Sequence, residues 1–314
     1  MTSILTITVN PALDLSTEAP AVVPDRKLRC GPPLVHPGGG GVNVSRAISN
    51  LGGTSRMLVA YGGPTGEMLV RELRGEGLEP VSLGIDYDTR QSLTVRDAAT
   101  GLQYRYMMPG PAWTAEDCET ARRTIMDNVR EGDLVIPSGS TPPGLPEEFF
   151  LSLNTEVKTA GARMILDTSG ATLERVAGAG AELFTLRMDL EEARELSDRP
   201  LLRIEEVAEL ARELRAAKAA EIVMIAAGAE GTVITCAEWT GLTRPPFVVP
   251  LSKVGAGDSF VGGYALSLTQ NADPVEACIQ GTASAASAVT TPGTALCLRD
   301  DVERFVTQVT RTPL

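Results

Sequence analysis

Residues 115–167 read AEDCETARRTIMDNVREGDLVIPSGSTPPGLPEEFFLSLNTEVKTAGARMILD, and the order of patterns in this stretch decides the fold. A helical periodicity over 115–130 gives way to an apolar run at 134–137, and a second helical pattern over 146–160 leads to another at 163–167. Strands alternating with helices of about ten to fifteen residues are βαβ units, which build a mostly parallel sheet flanked by helices. Toward the C-terminus the rhythm continues with a helix over 204–217, a strand over 221–226 and a final helical pair over 258–268 and 274–290. Toward the N-terminus, 4–9 is a β-branched strand ending at Asn10-Pro11, and 42–51 is a short helix closed by Gly52-Gly53. A strand over 56–60 and an amphipathic helix over 66–75 follow. Only 91–98 and 103–108 break the pattern. They alternate apolar and polar residues around Ala99-Thr100-Gly101, as a hairpin with one exposed face does, and form an accessory sheet suited to a lid. No repeat, low-complexity tract or linker divides the chain, so 1–314 reads as one α/β domain with a β excursion.

Composition removes several classes of function. The 314 residues carry 28 basic and 40 acidic side chains, a net charge of -12, and this balance repels a phosphate backbone and argues against nucleic-acid binding. No apolar run approaches the roughly 20 residues that span a bilayer, and residues 1–10 lack the basic flank and cleavage site of a signal peptide. Cys30, Cys118, Cys236, Cys278 and Cys297 form no C-x-x-C pair, which fits reduced, mostly buried thiols in a cytoplasmic protein. His36, in the turn-like His36-Pro37-Gly38, is the only histidine, so a general base in this chain is expected to be a carboxylate. Lys27, Lys158, Lys218 and Lys253 are the only lysines among the 28 basic residues.

Three segments can carry chemistry. Pro37-Gly38-Gly39-Gly40-Gly41-Val42-Asn43 places glycines directly before a helix, where close backbone approach and unpaired N–H groups favour a ligand, and Asn43 offers an amide to the same space. Val254-Gly255-Ala256-Gly257-Asp258-Ser259 opens a helix rich in small residues. Asp258 there reads either as a helix cap or as a base beside an anion-binding loop, where it accepts the proton of an attacking hydroxyl. The third segment, strand 222–226 running into Ala227-Gly228-Ala229-Glu230-Gly231, matches the carboxyl-edge turns at which α/β sheets bind ligands. No G-x-G-x-x-G follows the first strand and no G-x-x-x-x-G-K-[ST] occurs, which disfavours dinucleotide-binding proteins and excludes P-loop NTPases.

Taken together, these residues resemble the ribokinase-like carbohydrate kinases, in particular the phosphofructokinase B branch. The similarity runs end to end: Thr8-Val9-Asn10-Pro11-Ala12-Leu13-Asp14, the glycine run with Asn43, Tyr104-Arg105-Tyr106 with Pro109-Gly110-Pro111, and Ser138-Gly139-Ser140 with Pro142-Pro143-Gly144. Leu166-Asp167-Thr168-Ser169-Gly170, the signature Val254-Gly255-Ala256-Gly257-Asp258 and Pro292-Gly293-Thr294 complete it. The resemblance implies a Rossmann-like α/β core with a small β-sheet lid, its excursions at roughly 12–36 and 88–109, and a homodimer formed through that lid. It implies an ATP-dependent sugar-phosphate kinase in which Asp258 is the base, Gly255, Ala256 and Gly257 form the anion hole, and Asp14, Gly39 and Asn43 hold sugar hydroxyls. Lys27, Arg29, Arg90, Arg105 and Ser138 fall where this branch grips the sugar phosphate and the transferring group, a cationic cluster that a free sugar would not require.

The resemblance weakens in the nucleotide half. Where many members carry Lys-x-Asn-x-x-Glu, this chain has Arg187, Asp189 and Glu192. Glu192 is the implied Mg²⁺ residue. Arg187, Asp189, Ala226, Gly228 and Gly231 are the implied nucleotide contacts, with Ala226 standing where a hydroxyl is common. Carbonyls of 252–255 and 291–293 are where relatives hold K⁺. The reading is an ATP:fructose-6-phosphate 1-phosphotransferase with Mg²⁺. Gly40, where fructose 1-phosphate and tagatose 6-phosphate kinases often place Lys, leans toward fructose 6-phosphate; 1-phosphofructokinase or tagatose-6-phosphate kinase is the alternative, and a weakly catalytic sugar-phosphate or ATP sensor is the rival of another class.

Overall fold

The computed structural model describes residues 2–293 and 295–314, so Thr294 of the Pro292-Gly293-Thr294 motif lies outside the described residues. A ten-stranded sheet crosses the molecule. Its parallel part comprises β1 (Ile4–Thr8), β4 (Arg56–Val59), β5 (Val81–Ser82), β8 (Leu134–Pro137), β9 (Arg163–Asp167), β10 (Leu183–Asp189) and β11 (Ala220–Ala226). β12 (Thr232–Thr235), β13 (Thr240–Arg244) and β14 (Thr310–Pro313) add an antiparallel edge, and the spatial order is β14-β13-β12-β11-β10-β9-β8-β1-β4-β5. A separate four-stranded sheet, ordered β3-β2-β6-β7, is built from β2 (Ala12–Ala19), β3 (Leu34–Gly38), β6 (Arg90–Asp97) and β7 (Gln103–Met107).

Alternate residues of the central strands enter two cores on opposite faces of the large sheet. Leu5, Ile7, Val135, Leu166, Leu186 and Val223 join one core, and Ile4, Leu134, Ile136, Ile165, Ile222 and Met224 join the other. Burial on both faces explains why these strands read as unbroken apolar runs. The first core is covered by α3 (Ala115–Asn128), α4 (Phe149–Thr159), α5 (Gly170–Gly178), α6 (Leu190–Ser197) and α7 (Ile204–Ala216). On the other face lie α1 (Gly40–Asn50), α8 (Ala256–Thr269) and α9 (Pro274–Val289). α2 (Gly63–Gly75) packs on the small sheet, and α10 (Arg299–Val306) packs on α9.

Several expectations need correction. The helix predicted over 42–51 begins at Gly40, so two glycines form its first turn. The helix predicted over 66–75 begins at Gly63, and the one over 146–160 begins only at Phe149, after a turn closed by Phe149 N–H on the Pro146 carbonyl at 2.9 Å. His36-Pro37-Gly38 is strand, not turn. It pairs with β2 at the edge of the small sheet, where proline is tolerated because its missing N–H faces outward. Elements unassigned in the sequence are β2 and β3, covered only by the lid excursion at roughly 12–36, and β5, α5, β10, α6, β12, β13, α10 and β14. Four of the five cysteines are buried, Cys30 is exposed, and all are free thiols. Among the described residues no helix is long and apolar enough to cross a membrane.

Candidate active site

The chain enters the large sheet at β1, builds outward through β4 and β5, then returns to β8 on the other side of β1. Such a reversal leaves a crevice at the carboxyl ends of the two central strands. α1 starts over that crevice. Gly41 N–H donates to the Ser138 carbonyl at 3.1 Å, and a Cβ on Gly40 would stand 2.4 Å from Ser138 Oγ, so the first turn of α1 rests on the backbone that follows β8. Gly39 precedes it with φ 114°, in the left-handed region that glycine tolerates, and no side chain caps the helix.

α8 reaches the same place from the opposite end of the sequence. Its N-cap, Gly255, has φ 74°, and a Cβ there would fall 2.4 Å from Leu296 Cδ2, so both conformation and space require glycine. No side chain caps this helix either, which leaves the N–H groups of its first turn facing the crevice. Asp258 is therefore not a cap. Its Oδ2 accepts a hydrogen bond from Asn43 Nδ2 at 2.9 Å. Burial, then the charge of Asp167, pushes the Asp258 carboxyl up to about 7; Asn43 and Arg187 oppose the shift and Asp14 adds to it. α8 can approach α1 because its residues are small: a Cβ on Gly262 would come within 2.9 Å of Ala47 Cβ.

Below this pair, Ser138 Oγ donates to Asp167 Oδ2 at 3.1 Å, and Arg187 Nη1 donates to Asp167 Oδ1 at 2.9 Å. Arg187 thus pairs with Asp167 and not with Asp189. Its guanidinium lies against the anion-loop backbone, since a Cβ on Gly257 would be 3.0 Å from Nη2. The small sheet brings Asp14 to the rim, where it accepts from Ser92 Oγ. Burial raises its pKa against that hydrogen bond and the charges of Arg90, Arg105 and His36. Arg90 donates to the carbonyls of Met108 and Asn10, each at 3.3 Å, and its buried Nε has no partner. Of the four predicted phosphate-gripping cations, the structure brings Arg90 and Arg105 beside Asp14. Lys27 and Arg29 sit on the exposed connection between β2 and β3, and neither makes a hydrogen bond or ion pair among the described residues.

The predicted nucleotide residues gather at the neighbouring strand ends. Arg187 and Asp189 close β10, and Asp189 lies in register with Ala226 at the end of β11. Gly228 follows in a single 3₁₀ turn. Gly231 is fixed by close backbone approach, as a Cβ there would meet the Thr243 carbonyl at 2.1 Å. Asp189 and Glu192 form the capping box of α6. Glu192 N–H donates to Asp189 Oδ1 at 2.9 Å and Asp189 N–H to Glu192 Oε2 at 2.7 Å. The Glu192 carboxyl is pushed up to about 7, chiefly by burial, with Asp189 and Asp167 adding negative charge.

Three residues of the site had no role assigned from the sequence, although Asp167 lies in the Leu166-Asp167-Thr168-Ser169-Gly170 motif. Asp167 ends a predicted strand beside the one ending at Ser138, and that adjacency was the available signal. Arg46 stands three residues after Asn43 on a predicted helix, hence on the same face. Ser92 gave no signal, because its role depends on β6 pairing with β2.

A family model described as pfkB family carbohydrate kinase matches residues 9–301. The chain is 35% identical over 302 residues to the ATP-dependent 6-phosphofructokinase isozyme 2 of Mycobacterium tuberculosis, covering 96% of this chain and 88% of that protein. It is 34% identical over 311 residues to the enzyme of the same name from Escherichia coli, covering 99% of this chain and 100% of that one. Phosphofructokinase-2 from Escherichia coli, crystallised in complex with potassium, superposes with a TM-score of 0.93 at 34% identity, over 98% of this chain and 99% of that one. In complex with fructose-6-phosphate it superposes with a TM-score of 0.91 at 33% identity, over 98% and 99% of the two chains. A match spanning the glycine run, the small sheet and the Gly-Ala-Gly-Asp loop places them in one inherited arrangement: the chain belongs to the pfkB family of carbohydrate kinases.

Proposed function

We propose that this protein transfers the γ-phosphoryl group of ATP to the C1 hydroxyl of fructose 6-phosphate in the cytoplasm, a glycolytic reaction, with Asp258 as the general base. The observation that carries the reading is the meeting of α1 and α8 over the sheet crevice. A carboxylate with its pKa raised to about 7 stands beside an uncapped helix N-terminus, with a guanidinium behind the loop. A base with a pKa near the working pH accepts a hydroxyl proton efficiently. The open N–H groups of 255–258 and the Arg187 guanidinium face the position where charge collects on the transferring phosphoryl group.

Asp14, Gly39 and Asn43 hold the sugar hydroxyls, and Arg90 and Arg105 meet its phosphate. Lys27 and Arg29 extend that positive surface, and Ser138 steadies the transferring group through its bond to Asp167. Arg187, Asp189, Ala226, Gly228 and Gly231 line the nucleotide side. Mg²⁺ enters with ATP. Glu192 suits it, because burial raises its carboxyl to about 7 with Asp189 and Asp167 adding negative charge, and a divalent cation would favour the ionised carboxylate there. Held there, it would supply positive charge to the nucleotide phosphates. Ser252 Oγ bonds the Gly293 carbonyl at 3.1 Å, so 252–255 and 291–293 lie side by side and offer carbonyl oxygens to K⁺. The small sheet acts as lid and excludes water from the phosphoryl group, and its exposed apolar face forms a homodimer.

The test is ADP release with Mg-ATP, comparing fructose 6-phosphate, fructose 1-phosphate, tagatose 6-phosphate and free fructose, with Asp258→Asn in parallel. Turnover with fructose 6-phosphate far above the others is expected. Turnover should fall about 10³-fold or more in the variant while sugar-phosphate binding persists. Preference for another ketose phosphate would change the substrate and keep the mechanism. Binding without turnover would make the protein a sensor.

A further inference from the structure

The side chain of Asn43 has two ends, and the structure fixes which one faces the base. Arg46 Nη1 donates to Asn43 Oδ1 at 3.2 Å. A guanidinium has only donors, so the amide atom it meets must be the oxygen, and Nδ2 is left to face Asp258 Oδ2 at 2.9 Å. Arg46 is itself locked. Its Nε and Nη2 each donate to Glu76 at 2.7 Å, to Oε2 and Oε1, and Nη1 also reaches the Pro37 carbonyl at 3.4 Å. The Arg46 side chain is 6% exposed and that of Glu76, just past the end of α2, is 38% exposed. Two parallel N–H···O bonds define an orientation as well as a distance.

We propose that Arg46, clamped by Glu76, is a positioning residue of the phosphoryl transfer: it holds the Asn43 amide so that Nδ2 always donates to one oxygen of Asp258, leaving the other oxygen for the substrate hydroxyl. The inference rests on Asp258 being the base. Without Arg46 nothing bonds Oδ1, and orientations in which the amide oxygen faces the Asp258 carboxylate and repels it become accessible. Asp258 then takes up a proton more readily, and the carboxylate loses its fixed direction. The other charged groups facing Asp258 are Asp167 at the end of β9, Arg187 on β10 and Asp14 on β2. Asp167 keeps its bonds from Ser138 and Arg187, and Asp14 its bond from Ser92, when Arg46 is replaced. Glu192 titrates in the same range, but Asp189, Asp167 and Arg187 surround it, and its titration is expected to stay put.

The experiment measures kcat for fructose 6-phosphate from about pH 5.5 to 9 in wild type, Arg46→Met, Arg46→Lys, Glu76→Gln and Asp258→Asn, with thermal melts of each. In Arg46→Met the acidic limb is expected to move up by about one pH unit and the plateau kcat to fall about 10- to 100-fold, with the KM for ATP unchanged. Arg46→Lys, which keeps a donor for Asn43 Oδ1, should recover part of both changes, and Glu76→Gln should show smaller changes of the same sign. A folded Arg46→Met with its acidic limb unmoved overturns the proposal, whatever its kcat. If Arg46→Met does not melt cooperatively, an unmoved limb in both Arg46→Lys and Glu76→Gln overturns it instead. Asp258→Asn separates the two levels. If it keeps near-normal turnover, the base assignment falls and the proposal with it; if it is inactive while the limb of the Arg46 variants is unmoved, only the proposal falls.

Discussion

Asp258 holds a proton more readily in the folded than in the unfolded chain, and activity and stability respond in opposite directions. Its pKa is raised from 3.8 to about 7. A raised carboxyl stabilises the fold below the unfolded value, and that contribution is lost as pH rises through the folded one. The thermal midpoint of Asp258→Asn is therefore expected to exceed that of wild type by several degrees near about pH 8 and to match it near about pH 4. Differential scanning calorimetry at the two pH values checks this; equal midpoints at both would mean that Asp258 is not strained in its ionised form. Gly255 makes a second case. Alanine at φ 74° with its Cβ 2.4 Å from Leu296 Cδ2 should destabilise the protein by about 1–2 kcal/mol from conformation alone, with a further loss from the overlap. Urea titration of Gly255→Ala measures the sum, and the same variant should bind ATP more weakly because the loop backbone moves.

At the scale of elements, the helices around the site succeed by opposite means. α6 is closed by a capping box, and Asp189→Ala is expected to cost about 1 kcal/mol by loss of the cap. α8 is left open and instead is packed tightly. A Cβ on Gly263 would lie 3.0 Å from Ser284 Cβ and 3.1 Å from the Gln280 carbonyl, so Gly263→Ala crowds α8 against α9 and should lower stability by about 1–3 kcal/mol in denaturant titrations. An unaffected Gly263→Ala would show that the two helices are not in close register. The same features decide which elements could be read. The strands at 134–137 and 163–167 were legible to the residue because nothing polar interrupts their central residues. β10 was not, because Thr185 and Arg187 break its apolar run. Both are paired only in three dimensions, Thr185 with Tyr264 OH at 3.0 Å and Arg187 with Asp167. β13 hides likewise behind Thr243, whose hydroxyl meets Thr232 O and Thr282 Oγ1 at 3.2 and 2.8 Å.

For the whole molecule, the small sheet leaves an apolar surface that the chain itself does not cover. Every residue of β7 is exposed, with Tyr106 at 50% and Met107 at 57%, and Leu34 on the far edge strand is 64% exposed. Sedimentation is expected to give a dimer for wild type and a monomer for the double variant Tyr106→Asp, Met107→Asp; a wild-type monomer would leave this face to another purpose. The sequence by itself determined the alternation of strands and helices, the two glycine-rich helix starts and the carboxylate at the second. These are local matters: periodicity, the freedom of glycine and the position of one acid within one turn. Only the tertiary structure decided what those pieces do to one another. Residues 43 and 258 lie 215 positions apart, and the raised pKa of Asp258, the pairing of Arg187 with Asp167 and the locking of Asn43 by Arg46 and Glu76 all arise between separate elements of the fold. Burial and hydrogen-bond geometry belong to groups brought together from distant strands, and no spacing along the chain encodes them.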